Sequence, residues 1–186
     1  MKRLNLRLLI GLIFLLLCNS LIAAELPDSI QIGGTPLYLN GSGARTKYFM
    51  QMYVGGLYLQ QPSSNGSAIL AADQPMAIRL HITSGMVSQE KLVSSINEGF
   101  HNSTDGRTTA IEPQIHQFRQ CFRDPIAKGD VFEIVYLPGN GVNVIKNGTP
   151  KGTVPGLAFK QAVFGIWLSD NPADTNLRLA MLQGRK

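Results

Sequence analysis

The segment DVFEIVYLPGNGVNVIKNG, residues 130–148, constrains the fold more than any other part of the chain. Two runs rich in β-branched and aromatic residues flank residues 138–141, and Asn147 and Gly148 then lead into a third run, TPKGTVPG. Short strand-forming runs separated by such turn residues predict β-hairpins. Because strands joined by tight turns pair antiparallel, the sequence predicts a three-stranded antiparallel meander.

Further strands are predicted on the amino-terminal side of this meander. Residues 29–32 and 36–40 form a hairpin over two glycines, and the alternating apolar and polar residues at 76–83 predict a half-buried strand. The stretch GSGARTKYFMQMYVGGLYL, residues 41–59, is interpreted as the longest strand, straight or bent. The polar run QQPSSNGS, residues 60–67, predicts a surface loop.

Four helices are predicted from apolar periodicity and end signals. The first begins after Ser88, a favoured capping residue, and the second has Pro113 in its first turn, where proline is tolerated. Residues 157–168 are apolar nearly all round, which predicts a buried helix, and a last helix is expected to begin at Asn171 and Pro172. Helices gathered on an antiparallel sheet give an α+β fold.

The amino terminus predicts export. Lys2, Arg3 and Arg7 precede a short apolar run that ends in small residues, a pattern typical of a secretory signal peptide. The apolar run at 8–17 is shorter than the roughly 20 residues of a membrane span, which is the competing interpretation. We therefore expect residues 1–24 to be a signal peptide and residues 25–186 to be one domain located in the periplasm.

Charge and cysteine content exclude several function classes. Three of the 17 Lys and Arg residues and none of the 12 acidic residues lie in 1–24, so the remainder carries 14 basic and 12 acidic residues. So small an excess gives no support to nucleic-acid binding. Cys121 is the one cysteine after residue 24, and no Cys-pair or His-pair spacing occurs, so we expect no internal disulfide, metal or cofactor.

Three segments together resemble the bacterial chalcone isomerase-like proteins. They are GSGARTKYFMQMYVGGLYL, GDVFEIVYLPGNGVNVIKNG and GLAFKQAVFGIWLSDNP, and their order and spacing carry the resemblance. It implies an open-faced β-sandwich, in which a large antiparallel sheet is covered on one side by a layer of helices, with a ligand cleft between them. This agrees with the α+β fold predicted from the residue patterns.

The superfamily contains plant enzymes that close a chalcone to a flavanone, and non-catalytic members that bind fatty acids through an arginine and a tyrosine. The resemblance makes Arg45 and Tyr53 the candidates for those two ligand-binding roles. The enzymes have a threonine where this chain has Tyr53, and the segment 84–100 has no tyrosine, although Asn97 approximates an asparagine of the enzymes.

We therefore expect non-catalytic binding of a fatty acid or other small acidic amphiphile. One alternative is an isomerase of chalcone isomerase type that uses Arg45, Tyr53 and Asn97. The other is a structural partner in an envelope complex.

The chemistry of the two main candidates fits a carboxylate ligand. A guanidinium donates two parallel hydrogen bonds to a carboxylate, and a phenol donates one. However, eight residues of straight strand span about 26 Å, so Arg45 and Tyr53 reach one carboxylate only if the chain bends or pairs back between residues 46 and 49. Of the intervening residues, Tyr48, Met50 and Met52 are expected to lie in the core.

The export hypothesis makes a direct prediction about the mature protein. Signal cleavage after Ala23 or Ala24 yields a chain that begins at Ala24 or Glu25 and is recovered from the periplasmic fraction. Amino-terminal sequencing of the protein from fractionated cells checks this, and a chain that retained Met1 would contradict it.

Overall fold

The computed structural model describes residues 26–184, and the predicted signal peptide at 1–24 lies outside them. Seven strands form one antiparallel sheet in which the strand order equals the chain order. They are β1 (Ser29–Ile32), β2 (Thr35–Lys47), β3 (Met50–Leu59), β4 (Met76–Ile82), β5 (Val131–Leu137), β6 (Gly141–Lys146) and β7 (Thr149–Val154). The predicted meander at 130–154 is confirmed.

Helices cover one face of the sheet. They are α1 (Gly66–Ala71), α2 (Gln89–Ser103), α3 (Glu112–Gln120, after a 3₁₀ turn at Thr109–Ile111), α4 (Leu157–Leu168) and α5 (Thr175–Met181). The larger core lies between this helix layer and the sheet, and it contains Phe100, Phe118 and Phe159 from the helices and Phe132 from β5. A smaller apolar cluster lies on the opposite face of the sheet. The α+β, open-faced sandwich prediction is confirmed.

The prediction of a single long strand over 41–59 is wrong. The chain reverses at Tyr48 and Phe49, which have φ values of 52° and 62°, and β2 and β3 pair back on each other with Arg45 directly opposite Tyr53. Since Tyr48 and Met50 lie at this turn, they are 75% and 41% exposed and do not belong to the core. Met52 is partly buried and packs against the core.

Two helix starts differ from the sequence-based expectation. The predicted loop at 60–67 ends at Asn65, whose side chain accepts a hydrogen bond from the Ala68 N–H and begins α1, a helix that was not predicted. The last helix begins at Thr175 rather than near Asn171, because the Asp174 carboxylate accepts from the Leu177 N–H. The predicted cap at Ser88 is confirmed.

One charged residue is fully buried in α4, the helix predicted to be apolar nearly all round. Lys160 Nζ donates to the carbonyl oxygens of Ile69, Leu70 and Ala72 at 2.8–2.9 Å, so it caps the carboxyl end of α1. Burial lowers the pKa of Lys160 to about 8, and the nearby Asp73 carboxylate opposes that shift. The three carbonyl acceptors compensate for the loss of water around the ammonium group.

Glycines on β2 and β3 allow α5 to lie directly on the sheet. A β-carbon at Gly41 would overlap the backbone carbonyl oxygen of Ala180, and one at Gly43 would lie 2.7 Å from the Ala180 β-carbon. Asn40 Nδ2 also donates to the Met181 carbonyl at 2.8 Å. The backbone of α5 is therefore held against the β2–β3 hairpin.

The Gly41→Ala variant tests this close approach. The added methyl group must displace helix backbone, and overpacking of this kind costs at least about 2 kcal/mol, which lowers Tm by roughly 4 to 8 °C in a domain of this size. The matched control is Gly85→Ala, because a β-carbon at Gly85 meets nothing within 4 Å. Thermal unfolding followed by circular dichroism measures both variants, and equal Tm values for the two would contradict the packing argument.

Candidate functional site

The hairpin brings the two predicted ligand-binding residues together. Arg45 and Tyr53 are direct partners in the β2–β3 register, and the guanidinium carbon of Arg45 lies 5.9 Å from the centroid of the Tyr53 ring. The distance objection to a shared ligand is therefore removed, because the chain pairs back between residues 46 and 49. Tyr53 belongs to the core cluster on the helix side of the sheet.

A β-bulge lies immediately beside this pair. Arg45 pairs with Tyr53 whereas Thr46 pairs with Gln51, so Met52 is an extra residue on β3. Successive residues of a regular strand point to opposite faces, but a bulge re-aims a side chain. As a result, Met52 and Tyr53 both line the same cavity.

The hydroxyl group of Tyr53 is buried and oriented by α4. The indole Nε1 of Trp167 donates to the Tyr53 hydroxyl oxygen at 2.9 Å, and Tyr53 is only 3% exposed. Burial raises the pKa of the Tyr53 phenol above its ordinary value, and the Arg45 guanidinium opposes that shift. The phenol is therefore neutral at neutral pH and has a proton to donate to an acceptor.

Arg45 is half-buried and has no acidic partner among the ion pairs of residues 26–184. Asp174 is near enough to influence the Tyr53 pKa, but its carboxylate accepts the Leu177 N–H at the start of α5. A partly desolvated guanidinium retains strong donors for an anion. The arrangement thus favours a ligand carboxylate at Arg45.

A cavity of about 290 Å³ lies between the hairpin and α2, with Arg45 and Tyr53 in its wall. Small-molecule sites commonly measure about 300 to 1,000 Å³, so this cavity is close to the lower limit of that range. Apolar walls come from Met52, Val87 and Leu92. A smaller void of about 20 Å³ shares Arg45 and Tyr53 with this cavity and also contacts Trp167.

The cavity wall is cationic. Arg45, Lys47 and Lys91 line it together with a single acidic residue, Glu98. This charge balance favours an anionic group over a neutral or cationic one. Apolar walls combined with cationic donors suit an amphiphile that has an acidic head group.

The third candidate, Asn97, does not join the other two. It is exposed on α2, and its side-chain oxygen accepts a hydrogen bond from Arg119 Nη1 at 3.3 Å. Its neighbours Ser94, Ser95 and Glu98 line the cavity instead. The helical period accounts for this, because consecutive residues of a helix are about 100° apart around its axis.

Sequence reasoning missed several residues of this site. Trp167 lies in the helix that was predicted to be buried, but its hydrogen bond to Tyr53 also makes it part of the site. Leu92, Ser95 and Glu98 lie three residues apart on α2, and a helical-face argument could have identified them together.

Other types of site find little support in the described part of the chain. Residues 26–184 contain no cluster of three His, Cys, Asp or Glu side chains that could hold a metal ion. Cys121 is buried, and burial raises the pKa of its thiol, which makes it a poor nucleophile. Among the described helices, none is both long and apolar enough to cross a membrane.

Comparisons with known proteins agree with this fold. No curated protein matches the chain. A crystal structure of an Arabidopsis thaliana fatty-acid binding protein is similar, with a TM-score of 0.68 and 18% identity over 85% of this chain and 91% of that chain, which shows a common fold. Residues 19–183 match the family model described as chalcone isomerase-like. The chain therefore belongs to the chalcone isomerase-like family.

Proposed function

We propose that the protein binds a fatty acid or other small acidic amphiphile, with the carboxylate at Arg45 and Tyr53. The observation that carries this proposal is the half-buried Arg45 guanidinium, which has no acidic partner within 26–184 and lies beside a phenol with a free proton. A carboxylate at this position accepts two hydrogen bonds from the guanidinium and one from the phenol.

The rest of the cavity suits the apolar part of such a ligand. Met52 and Leu92 provide flexible aliphatic walls beside the charged end, and methionine adapts to irregular apolar shapes. The similarity of fold to a protein described as fatty-acid binding supports the same ligand class.

Membership of the bacterial, periplasmic branch of the family is a further part of the proposal. Its support is the cationic and apolar pattern of residues 1–24. The envelope-partner alternative differs in that it requires no ligand. Mass spectrometry of small molecules extracted from the purified mature protein distinguishes these two hypotheses. A bound fatty acid would support the ligand-binding proposal over the envelope-partner alternative.

The Arg45→Ala variant tests the proposed head-group site. Loss of a charge-assisted hydrogen bond should weaken palmitate binding by about 1.5 to 3 kcal/mol, or about 10- to 150-fold in Kd. Tyr53→Phe deletes one neutral hydrogen bond and keeps the ring, so its cost should be smaller, about 0.5 to 1.5 kcal/mol. Isothermal titration calorimetry measures both affinities.

Arg123→Ala is the matched control, because Arg123 is exposed and does not line the cavity. This control should bind palmitate as the wild type does. Wild-type affinity in Arg45→Ala would remove Arg45 from the site, and a larger loss in Tyr53→Phe than in Arg45→Ala would make Tyr53 the main anchor.

A second prediction concerns the isomerase alternative. Ring closure requires donors placed at the developing enolate, and each placed donor contributes about 100- to 1,000-fold. Here Tyr53 stands where the enzymes have a threonine, and Asn97 lies outside the cavity wall. We expect no acceleration of hydroxychalcone cyclisation above the rate in buffer. Chalcone absorbance and chiral analysis of the product measure this, and a stereoselective product dependent on Arg45 would establish the isomerase.

A further inference from the structure

The turn between β2 and β3 has an unusual composition. Two-residue hairpin turns with positive φ at both positions favour Asn-Gly and similar pairs, yet this turn consists of Tyr48 and Phe49, with φ values of 52° and 62°. Bulky aromatic residues rarely adopt this conformation, and such strain is concentrated at functional sites. The turn therefore holds two aromatic side chains at the end of the hairpin despite an unfavourable backbone.

Exposed apolar side chains cluster at this turn. Phe49 is fully exposed, and Tyr48, Met50 and Met86 are among the most exposed large apolar residues of the described chain. We name these four residues the hairpin-tip patch. Tyr48 and Met86 also line the cavity that contains Arg45 and Tyr53, so the patch is continuous with the mouth of that cavity.

Cations flank the hairpin-tip patch. Lys47 Nζ lies 5.5 Å from the centroid of the Tyr48 ring, and Lys91 Nζ donates to the Met86 carbonyl at 3.2 Å. Exposed aromatic and aliphatic side chains beside lysines are typical of surfaces that insert shallowly into an anionic lipid interface. Four side chains are too few for a stable protein interface, which buries about 800 Å² on each partner.

We propose that the hairpin-tip patch docks onto an anionic phospholipid membrane, with Phe49 inserted among the lipids and Lys47 and Lys91 at the headgroups. Docking places the cavity mouth at the membrane surface, where an amphiphile can pass between bilayer and cavity. The passage of ligand rests on the proposed function, whereas the docking itself does not.

Vesicle co-sedimentation without added ligand tests the docking. The wild-type mature protein should bind vesicles of phosphatidylglycerol and phosphatidylcholine more tightly than vesicles of phosphatidylcholine alone, and added salt should weaken the difference. Phe49→Gly should weaken binding to the anionic vesicles at least about tenfold, because burial of a phenylalanine is lost. Lys47→Gln should weaken it about fivefold.

The stability and palmitate affinity of Phe49→Gly show whether a loss of vesicle binding results from misfolding. Glycine adopts positive φ without strain, so this variant should have a Tm at or above that of the wild type and unchanged affinity for palmitate in solution, since Phe49 does not line the cavity. Tyr38→Ser is the matched control, because Tyr38 is 52% exposed and pairs with Leu59 at the other end of the hairpin. It should bind vesicles as the wild type does.

Several results would overturn the proposal. Wild-type vesicle binding by Phe49→Gly, equal binding to both vesicle compositions, or no vesicle binding by the wild-type protein would each exclude docking through this patch. Because these measurements contain no fatty acid, they leave the palmitate experiments as a separate test of the proposed function.

Discussion

The contact between α5 and the glycine-containing half of the β2–β3 hairpin anchors the hairpin that carries Arg45 and Tyr53. Gly41 and Gly43 bring the helix backbone onto the sheet, and Asn40 fixes its end through the Met181 carbonyl. The Asp174 cap then begins α5 close to Tyr53. Since β-carbons at the glycine positions would push the helix away, the small residues of β2 determine how closely α5 packs on the hairpin that carries Arg45 and Tyr53.

Periodicity and turn chemistry were sufficient for most of the fold. The strands from β4 to β7 and the helices α2 to α4 have clear apolar patterns, and glycine or asparagine marks their turns. The β2–β3 turn was missed because Tyr48 and Phe49 carry no turn signal. Helix α1 has only six residues, and part of its stability comes from Lys160, which is 90 residues distant along the chain.

Only part of the candidate site could be predicted from the sequence. Arg45 and Tyr53 were identified through the family resemblance, and their proximity depended on a chain reversal that residue patterns did not predict. The position of Trp167 against Tyr53 follows from the packing of α4 on the sheet, a tertiary contact that a local pattern does not encode. Asn97 was identified through the same resemblance but does not line the cavity. A shift of one residue along a helix is enough to turn a side chain away from it, and the Asn97 side chain instead accepts a hydrogen bond from Arg119.

The strand order has a consequence for the order in which the contacts around Tyr53 can form during folding. Every pair in the sheet joins strands that are consecutive along the chain, so the sheet can grow by one neighbouring strand at a time. The Tyr53 hydroxyl instead is capped only when Trp167 reaches it across 114 positions, and α5 is anchored only when Met181 reaches Asn40 across 141. Contacts so distant in sequence carry a large loop-closure entropy and form slowly. A folding intermediate with a complete sheet would therefore still leave the Tyr53 hydroxyl without its indole partner, and the phenol would be oriented only in a late folding step.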